Sequence, residues 1–172
     1  IKRTIVNKDP DIMVRLYKTL VRPHVEYCTA AWSPYYQKDK DLIEKIQHRF
    51  TKMIPNISHL SYEKRIEILH LWTLEERRNR ADLIQVFKMY SGASAPSFGD
   101  FFEVDSRGRT RGHSLKLVKH RSSTLVRQMF FSERVVNNWN RLSAETVAST
   151  SLEQFKNRLT KLREAKKGLF RD

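Results

Sequence analysis

Cysteine, glycine and long apolar runs are all scarce in this sequence of 172 residues. Cys28 is the only cysteine, so no internal disulfide can form and a disulfide scaffold of the extracellular kind is excluded. A zinc knuckle needs several cysteines and is excluded for the same reason. The five glycines form no Walker-type phosphate loop. No apolar run approaches ~18 residues, so we expect neither a membrane span nor a membrane partner.

Acidic residues are also in short supply. The chain has 33 Lys and Arg residues against 19 Asp and Glu residues, a net charge of +14. Residues 106–172 alone hold 16 basic and 5 acidic residues, net +11, whereas residues 61–105 are net −2. A charge this positive and this uneven indicates a polyanionic partner that meets the C-terminal third.

Apolar residues at helical spacing dominate the pattern and predict a mainly α fold. We expect a bundle of four to six helices with a basic irregular or short β-like insertion around residues 98–125. The expected division is a helical region over 1–92, a basic loop or extended segment over 93–127, and a helical segment over 128–172 that packs on the first. These three parts are also compatible with one compact unit.

Several helix ends are marked by local signals. Asp9 followed by Pro10 predicts an N-cap and a first helical residue, and Pro23 should kink or end that helix. Thr73-x-x-Glu76 and Ser151-x-x-Gln154 are capping boxes. The helix opened by Thr73 should run to Tyr90 and stop at Gly92.

The apolar spacing also predicts which faces are buried. The first helix should bury an apolar stripe, and a second helix over about 39–54 should bury its apolar face while Gln47 points away. Trp139 and Phe155 are predicted to be core residues, and Phe131, Val135, Trp139 and Leu142 are spaced as in a helix. The apolar stripe of the first helix comprises Ile12, Met13, Leu16, Tyr17 and Leu20.

Exposed aromatic side chains would be stacking platforms for nucleic-acid bases. The candidates are Tyr35, Tyr36, Phe101, Phe102 and Phe130.

The sharpest chemical signal is the basic segment, Ser106–Ser132, which contains no acidic residue. Arg107, Arg109 and Arg111 alternate, so an extended backbone would place them on one side. Guanidinium groups match phosphate oxygens bidentately, and the segment is interpreted as a nucleic-acid-binding surface. The alternative is a solvated loop, with His113 holding it in place. The predicted binding residues are Arg107, Arg109, Arg111, His113, Lys116, Lys119, Arg121 and Arg127.

Catalytic and metal-binding patterns are not found. Polymerase chemistry uses carboxylates that bind two metal ions, and the aromatic-x-Asp-Asp turn that supplies them in reverse transcriptases does not occur. Asp39-x-Asp41 is the nearest acidic pair and is better explained as a helix start. We therefore predict no catalytic residue, no metal ligand and no cofactor in this chain.

Five short sequence motifs follow one another along the chain. They are Leu20-Val21-Arg22-Pro23-His24-Val25-Glu26-Tyr27, Tyr62-Glu63-Lys64-Arg65, Leu74-Glu75-Glu76-Arg77-Arg78, Thr110-Arg111-Gly112-His113-Ser114-Leu115-Lys116-Leu117 and Phe131-Ser132-Glu133-Arg134-Val135-Val136-Asn137-Asn138-Trp139-Asn140. Together they resemble the region after the catalytic palm in LINE-type (non-LTR) retrotransposon reverse transcriptases. The resemblance extends from about Lys8 to about Leu162, with the thumb over about residues 9–90.

The resemblance implies a fragment of an RNA-directed DNA polymerase that binds template and primer without forming the catalytic site. Its implied partners are an RNA template, an RNA–DNA or DNA duplex, and the palm and fingers of the same polyprotein, where Mg²⁺ would bind. Its implied location is intracellular, in the nucleus, the cytoplasm or both. The start at Ile1 fits a longer reading frame. The open alternative is a stand-alone basic helical module that binds nucleic acid or a protein and has no polymerase activity.

Overall fold

The computed structural model of the chain describes residues 5–106, 112–166 and 170. These residues are mainly helical, which confirms the predicted fold class. A π-helical turn covers Tyr17–Val21, and 3-10 turns cover Pro55–Ile57 and Phe98–Asp100. The helices are α1 (Pro10–Leu16), α2 (Arg22–Glu26), α3 (Thr29–Trp32), α4 (Gln37–Thr51), α5 (Tyr62–Ile68), α6 (Leu74–Tyr90), α7 (Leu125–Gln128), α8 (Phe131–Asn140), α9 (Ala144–Val147) and α10 (Leu152–Ala165).

Packing divides the chain into two compact units. Unit 1 comprises Ile1–Cys28 and Ser33–Arg77, and unit 2 comprises Thr29–Trp32 and Arg78–Asp172. The predicted three-part division of the sequence stays a prediction.

The first helix of unit 1 buries a narrower face than its apolar stripe predicts. Asp9 caps α1 as expected, since its carboxylate accepts from the backbone N–H of Asp11 at 3.0 Å. Met13 and Tyr17 are buried, but Ile12 is 42% exposed and Leu20 is 53% exposed. The π-helical turn that begins at Tyr17 adds a residue to the turn, so the helical phase shifts and Leu20 leaves the predicted stripe.

The same π turn explains how the helical backbone passes Pro23. The N–H of Arg22 donates to the carbonyl of Tyr17, one residue further back than in an α-helix. Helical geometry then continues through Pro23 to Glu26. Pro23 therefore does not end the helical path, and the change of register lies just before it.

The predicted outward position of Gln47 on α4 is wrong. Gln47 is fully buried, whereas the apolar Leu42 on the same helix is 62% exposed. The Gln47 amide accepts from the Tyr17 hydroxyl at 2.6 Å and donates to the Tyr62 hydroxyl at 2.8 Å and the Trp72 carbonyl at 3.0 Å. These bonds offset the cost of burying the amide. The surrounding apolar cluster consists of Met13, Tyr17, Phe50, Ile54, Ile57, Tyr62, Ile66, Leu69 and Leu71.

Tyr62 joins this network to the start of α6. Its hydroxyl donates to the Glu44 carboxylate, which also accepts from the backbone N–H of Leu74 at 2.9 Å. Burial and the neighbouring Glu44 carboxylate raise the pKa of Tyr62 above its ordinary range. The phenol therefore stays protonated and remains a hydrogen-bond donor.

Helix α6 has both of its predicted ends. Thr73 and Glu76 form the reciprocal capping box, in which each side chain accepts from the other residue's backbone N–H at 3.2 Å. At the other end, the N–H of Ala93 donates to the Lys88 carbonyl at 2.8 Å across Gly92, whose φ of +73° suits glycine.

An aromatic stack forms part of the core of unit 2. The rings of Phe87 and Phe155 stack with centroids 4.3 Å apart, and Trp139 lies 6.0 Å from Phe155. Trp139 and Phe155 are fully buried, which confirms their predicted core positions. Phe102 is also buried, so it is core rather than a stacking platform.

Candidate nucleic-acid interface

The described part of the basic segment is anchored to α8 by its backbone. Trp139 donates from its indole Nε1 to the carbonyl of Leu115 at 2.8 Å. The Asn140 side chain accepts from the N–H of Leu117 at 2.8 Å and donates to its carbonyl at 2.9 Å. Asn140 thus satisfies both backbone groups of Leu117, as a neighbouring strand would.

A short antiparallel pairing holds the other side of the same stretch. Val104 and Leu117 form a β-bridge, flanked by bonds from the N–H of Asp105 to the Lys116 carbonyl at 2.7 Å and from the N–H of Val118 to the Glu103 carbonyl at 2.8 Å. This pairing lies within the region for which a short β-like insertion is predicted. Leu117 is buried, so the residues that follow it leave from a fixed point.

His113 lies inside the protein rather than on its surface. It is 6% exposed, and its Nε2 lies 3.1 Å from the carbonyl of Trp139, a geometry that requires the proton on Nε2. Its ring meets the Trp139 ring edge-on. Burial lowers the pKa of His113, which favours the neutral ring. This geometry supports the holding role, and we leave His113 out of the proposed interface.

Gly112 leaves room for the Lys116 side chain next to the backbone. Its φ of +125° lies in a region that L side chains rarely adopt, and a Cβ at this position would lie 3.1 Å from Lys116 Cε. A glycine here lets the Lys116 side chain pass close to the backbone. Lys116 is half-buried, so the predicted binding residue is partly withdrawn from the surface.

Lys119 and Arg121 are the most available cations of the described segment. Both are exposed, and among the described residues neither side chain has an ion pair or hydrogen bond. They follow Leu117 directly, so the anchored stretch presents them to solvent. These two predicted binding residues lie near each other only because they are two positions apart in the sequence.

Arg127 is exposed but partly engaged. Its guanidinium lies over the Phe130 ring at 5.5 Å, and its Nη2 lies 3.8 Å from the Glu133 carboxylate. Glu133 itself is 2% exposed, so this carboxylate does not project towards a ligand. Phe130, a predicted stacking platform, is 47% exposed beside this guanidinium.

Arg134 has a structural role that its sequence position did not indicate. Its guanidinium makes a bidentate pair with Asp82, at 2.7 Å and 3.0 Å, and also donates to the carbonyls of Thr29, Ala30 and Met129. These five bonds to buried or half-buried acceptors hold the Arg134 guanidinium in the interior of unit 2. A chemical signal for this role is lacking in the sequence, because Asp82 is 52 residues away.

Arg107, Arg109 and Arg111 lie outside the described residues, so their predicted alternation along one side stays a prediction. Among residues 5–106, 112–166 and 170, no group of three His, Cys, Asp or Glu side chains is placed to hold a metal ion. Within the same residues, no helix combines the length and apolar character needed to cross a membrane.

Comparisons with protein-family models, with curated proteins and with solved structures produced no match.

Proposed function

We propose that this chain is the thumb and post-thumb part of a LINE-type reverse transcriptase, and that unit 2 binds the sugar–phosphate backbone of an RNA template or RNA–DNA duplex. The observation that carries the proposal is the basic segment, which has seven Lys and Arg residues and no acidic residue between Ser106 and Ser132. A solvated surface loop has no need of such an imbalance, whereas a phosphate backbone attracts it.

The anchoring of the segment supports this function. Because Trp139 and Asn140 fix the backbone at Leu115 and Leu117, Lys119 and Arg121 extend from a rigid base. A fixed base reduces the backbone conformational entropy that binding must remove. Lysine and arginine that contact phosphates set position and affinity rather than sequence preference.

The carboxylates of Glu103 and Glu133 do not pair with Lys119 or Arg121. Glu133 is buried. Glu103 is exposed, and its carboxylate lies 4.0 Å from His120 rather than against Lys119 or Arg121. Neither of these two carboxylates neutralises Lys119 or Arg121, and uncompensated cations speed association with a polyanion.

Catalysis is assigned to the palm of the parent polyprotein. Nucleotide addition needs metal-binding carboxylates, and the aromatic-x-Asp-Asp turn is missing from this sequence. The role proposed for this chain is to hold the duplex through its shape and its sugar–phosphate backbone. This suits an A-like duplex, because protein side chains cannot reach the bases in its deep, narrow major groove. The proposed partners are therefore the nucleic acid and the palm and fingers, in the nucleus or cytoplasm.

The test is the salt dependence of binding by the full chain carrying Lys119→Gln and Arg121→Gln together. Fluorescence anisotropy with a labelled RNA–DNA hybrid, repeated over a series of KCl concentrations, gives the slope of log affinity against log salt. We expect the slope to become shallower by about 0.7–0.9 for each phosphate that the variant no longer neutralises.

The matched control is Arg141→Gln with Lys161→Gln, which removes the same charge from two exposed residues of unit 2 outside the basic segment. An equal decrease of slope in both double variants would mean that net charge alone drives binding. That result would contradict the proposed interface.

A further inference from the structure

A second group of cations lines a surface cleft in unit 1. The cleft has a volume of about 540 Å³ and lies where α4 ends and the chain turns through Pro55. Three of its lining side chains are basic, and none is acidic. The lining residues are Lys8, Arg49, Lys52, Met53, Pro55 and Ser58.

The three cations of this cleft are uncommitted. Among the described residues, the side chains of Lys8, Arg49 and Lys52 make no ion pair or hydrogen bond. Two other cations of unit 1 are paired by contrast, because Lys40 lies 2.8 Å from Glu75 and Arg77 pairs with Glu26. The carboxylate next to Lys8 in the chain, Asp9, is occupied as the cap of α1.

The wall of the cleft is built on buried residues. Phe50, Ile54 and Ile57 belong to the apolar core of unit 1, and they alternate along the chain with residues that line the cleft. Ser58 donates its hydroxyl proton to the Pro55 carbonyl at 3.0 Å, which closes the turn. The cations therefore border a concave surface whose backbone is held by packing.

The end of α4 opposes an anion only weakly. The last carbonyls of a helix act as roughly half a negative charge, whereas the cleft carries three positive side chains. The positive charge prevails, and the arginine fork can engage two oxygens of one phosphate while the lysines act as point charges.

We propose that this cationic cleft binds a phosphate group of a nucleic-acid backbone, as a site separate from the basic segment of unit 2. It does not rest on the interface proposed for unit 2. The same chemistry would also accept free inorganic phosphate, and the experiment below distinguishes the two sources.

The test uses the full chain with Arg49→Gln and Lys52→Gln together. Binding of a labelled single-stranded RNA is measured by anisotropy over a salt series, and the amide resonances of Met53 and Ser58 are followed by NMR during separate titrations with that RNA and with inorganic phosphate. We expect the RNA to shift both resonances and the variant's salt slope to fall by about 0.7 or more.

The matched control is Lys18→Gln with Lys64→Gln, two exposed lysines of unit 1 that do not line the cleft. Lys45 is unsuitable because it lies four residues before Arg49 on the same helix face. Unchanged thermal unfolding of each variant shows that the fold is retained.

Three outcomes overturn the inference. Resonance shifts with inorganic phosphate but not with RNA assign the cleft to free phosphate. If the salt slope changes in the Lys119/Arg121 variant but not in the cleft variant, the cleft is not a binding site and the interface proposed for unit 2 stands. If the wild-type chain binds neither RNA nor the duplex, both proposed sites are overturned.

Discussion

Individual polar residues in the interior of each unit are held by specific hydrogen bonds. Gln47 in unit 1 bridges two tyrosine hydroxyls and a backbone carbonyl, and His113 in unit 2 contacts the carbonyl of Trp139. A buried polar group that loses its partner costs more than the bond itself contributes. These two residues are therefore the places where a single substitution reports most directly on the packing.

Replacing Gln47 with leucine should lower the free energy of unfolding by about 2–4 kcal/mol, because it leaves the Tyr17 hydroxyl and the Trp72 carbonyl without their bonds. Urea denaturation followed by circular dichroism measures this decrease. The matched control is Gln37→Leu on the same helix, where an exposed amide contacts Asp41 and the change should stay within about 0.5 kcal/mol. Equal decreases would contradict the burial of Gln47.

His113 should make the stability of the protein depend on pH. Burial lowers its pKa in the folded state, so the unfolded chain takes up the proton first, near the ordinary histidine value of about 6.5. The contribution is fully present above that pH and is lost as the pH falls towards the folded-state pKa. The free energy of unfolding should therefore decrease on acidification through this range.

The check is urea denaturation at a series of pH values for the wild type and for His113→Gln, whose amide can still donate to the Trp139 carbonyl. The variant should lose part of the pH dependence and keep the part due to His48, whose pKa is also lowered by burial and by Arg65. An unchanged slope in His113→Gln would show that His113 is not the group responsible.

At the scale of elements, the caps of α1 and α6 could be predicted from the sequence, whereas the buried face of α4 could not. A cap is a contact among a few neighbouring residues, so Asp9, the Thr73–Glu76 box and Gly92 are legible in the local sequence. A buried face depends on residues far away in the chain. Gln47 is buried because Tyr17 and Tyr62 meet it, at separations of 30 and 15 residues.

The cap of α6 gives a test at this scale. Thr73→Ala removes the hydroxyl that accepts from the N–H of Glu76, and it should lower the free energy of unfolding by about 1 kcal/mol. Thermal and urea unfolding both measure it. Thr19→Ala is the control, since that exposed hydroxyl donates only to the nearby backbone carbonyls of Arg15 and Leu16, and its removal should change the free energy of unfolding by less than about 0.5 kcal/mol. A neutral Thr73→Ala would mean that the cap adds nothing to α6.

At the scale of the whole molecule, composition predicts the charge imbalance, but it does not predict which cations pair with acidic groups and which stay exposed. The sequence counts Arg134 and Lys119 alike. The structure commits Arg134 to Asp82 and three carbonyls, whereas Lys119 has no such partner among the described residues. In the proposed interface, the cations without such a partner, rather than the net charge of +14, set where a polyanion would bind.

Net charge and a shaped nucleic-acid site predict different competition behaviour. If charge alone drives binding, polyglutamate and an RNA–DNA hybrid should displace a labelled hybrid equally well at equal charge concentration. If cations on fixed backbone meet the A-like duplex, the hybrid should compete at least about tenfold better, the equivalent of one additional charged hydrogen bond. Anisotropy competition at fixed salt measures the ratio. Equal competition would favour a basic module that binds acidic partners in general, and it would count against the thumb assignment.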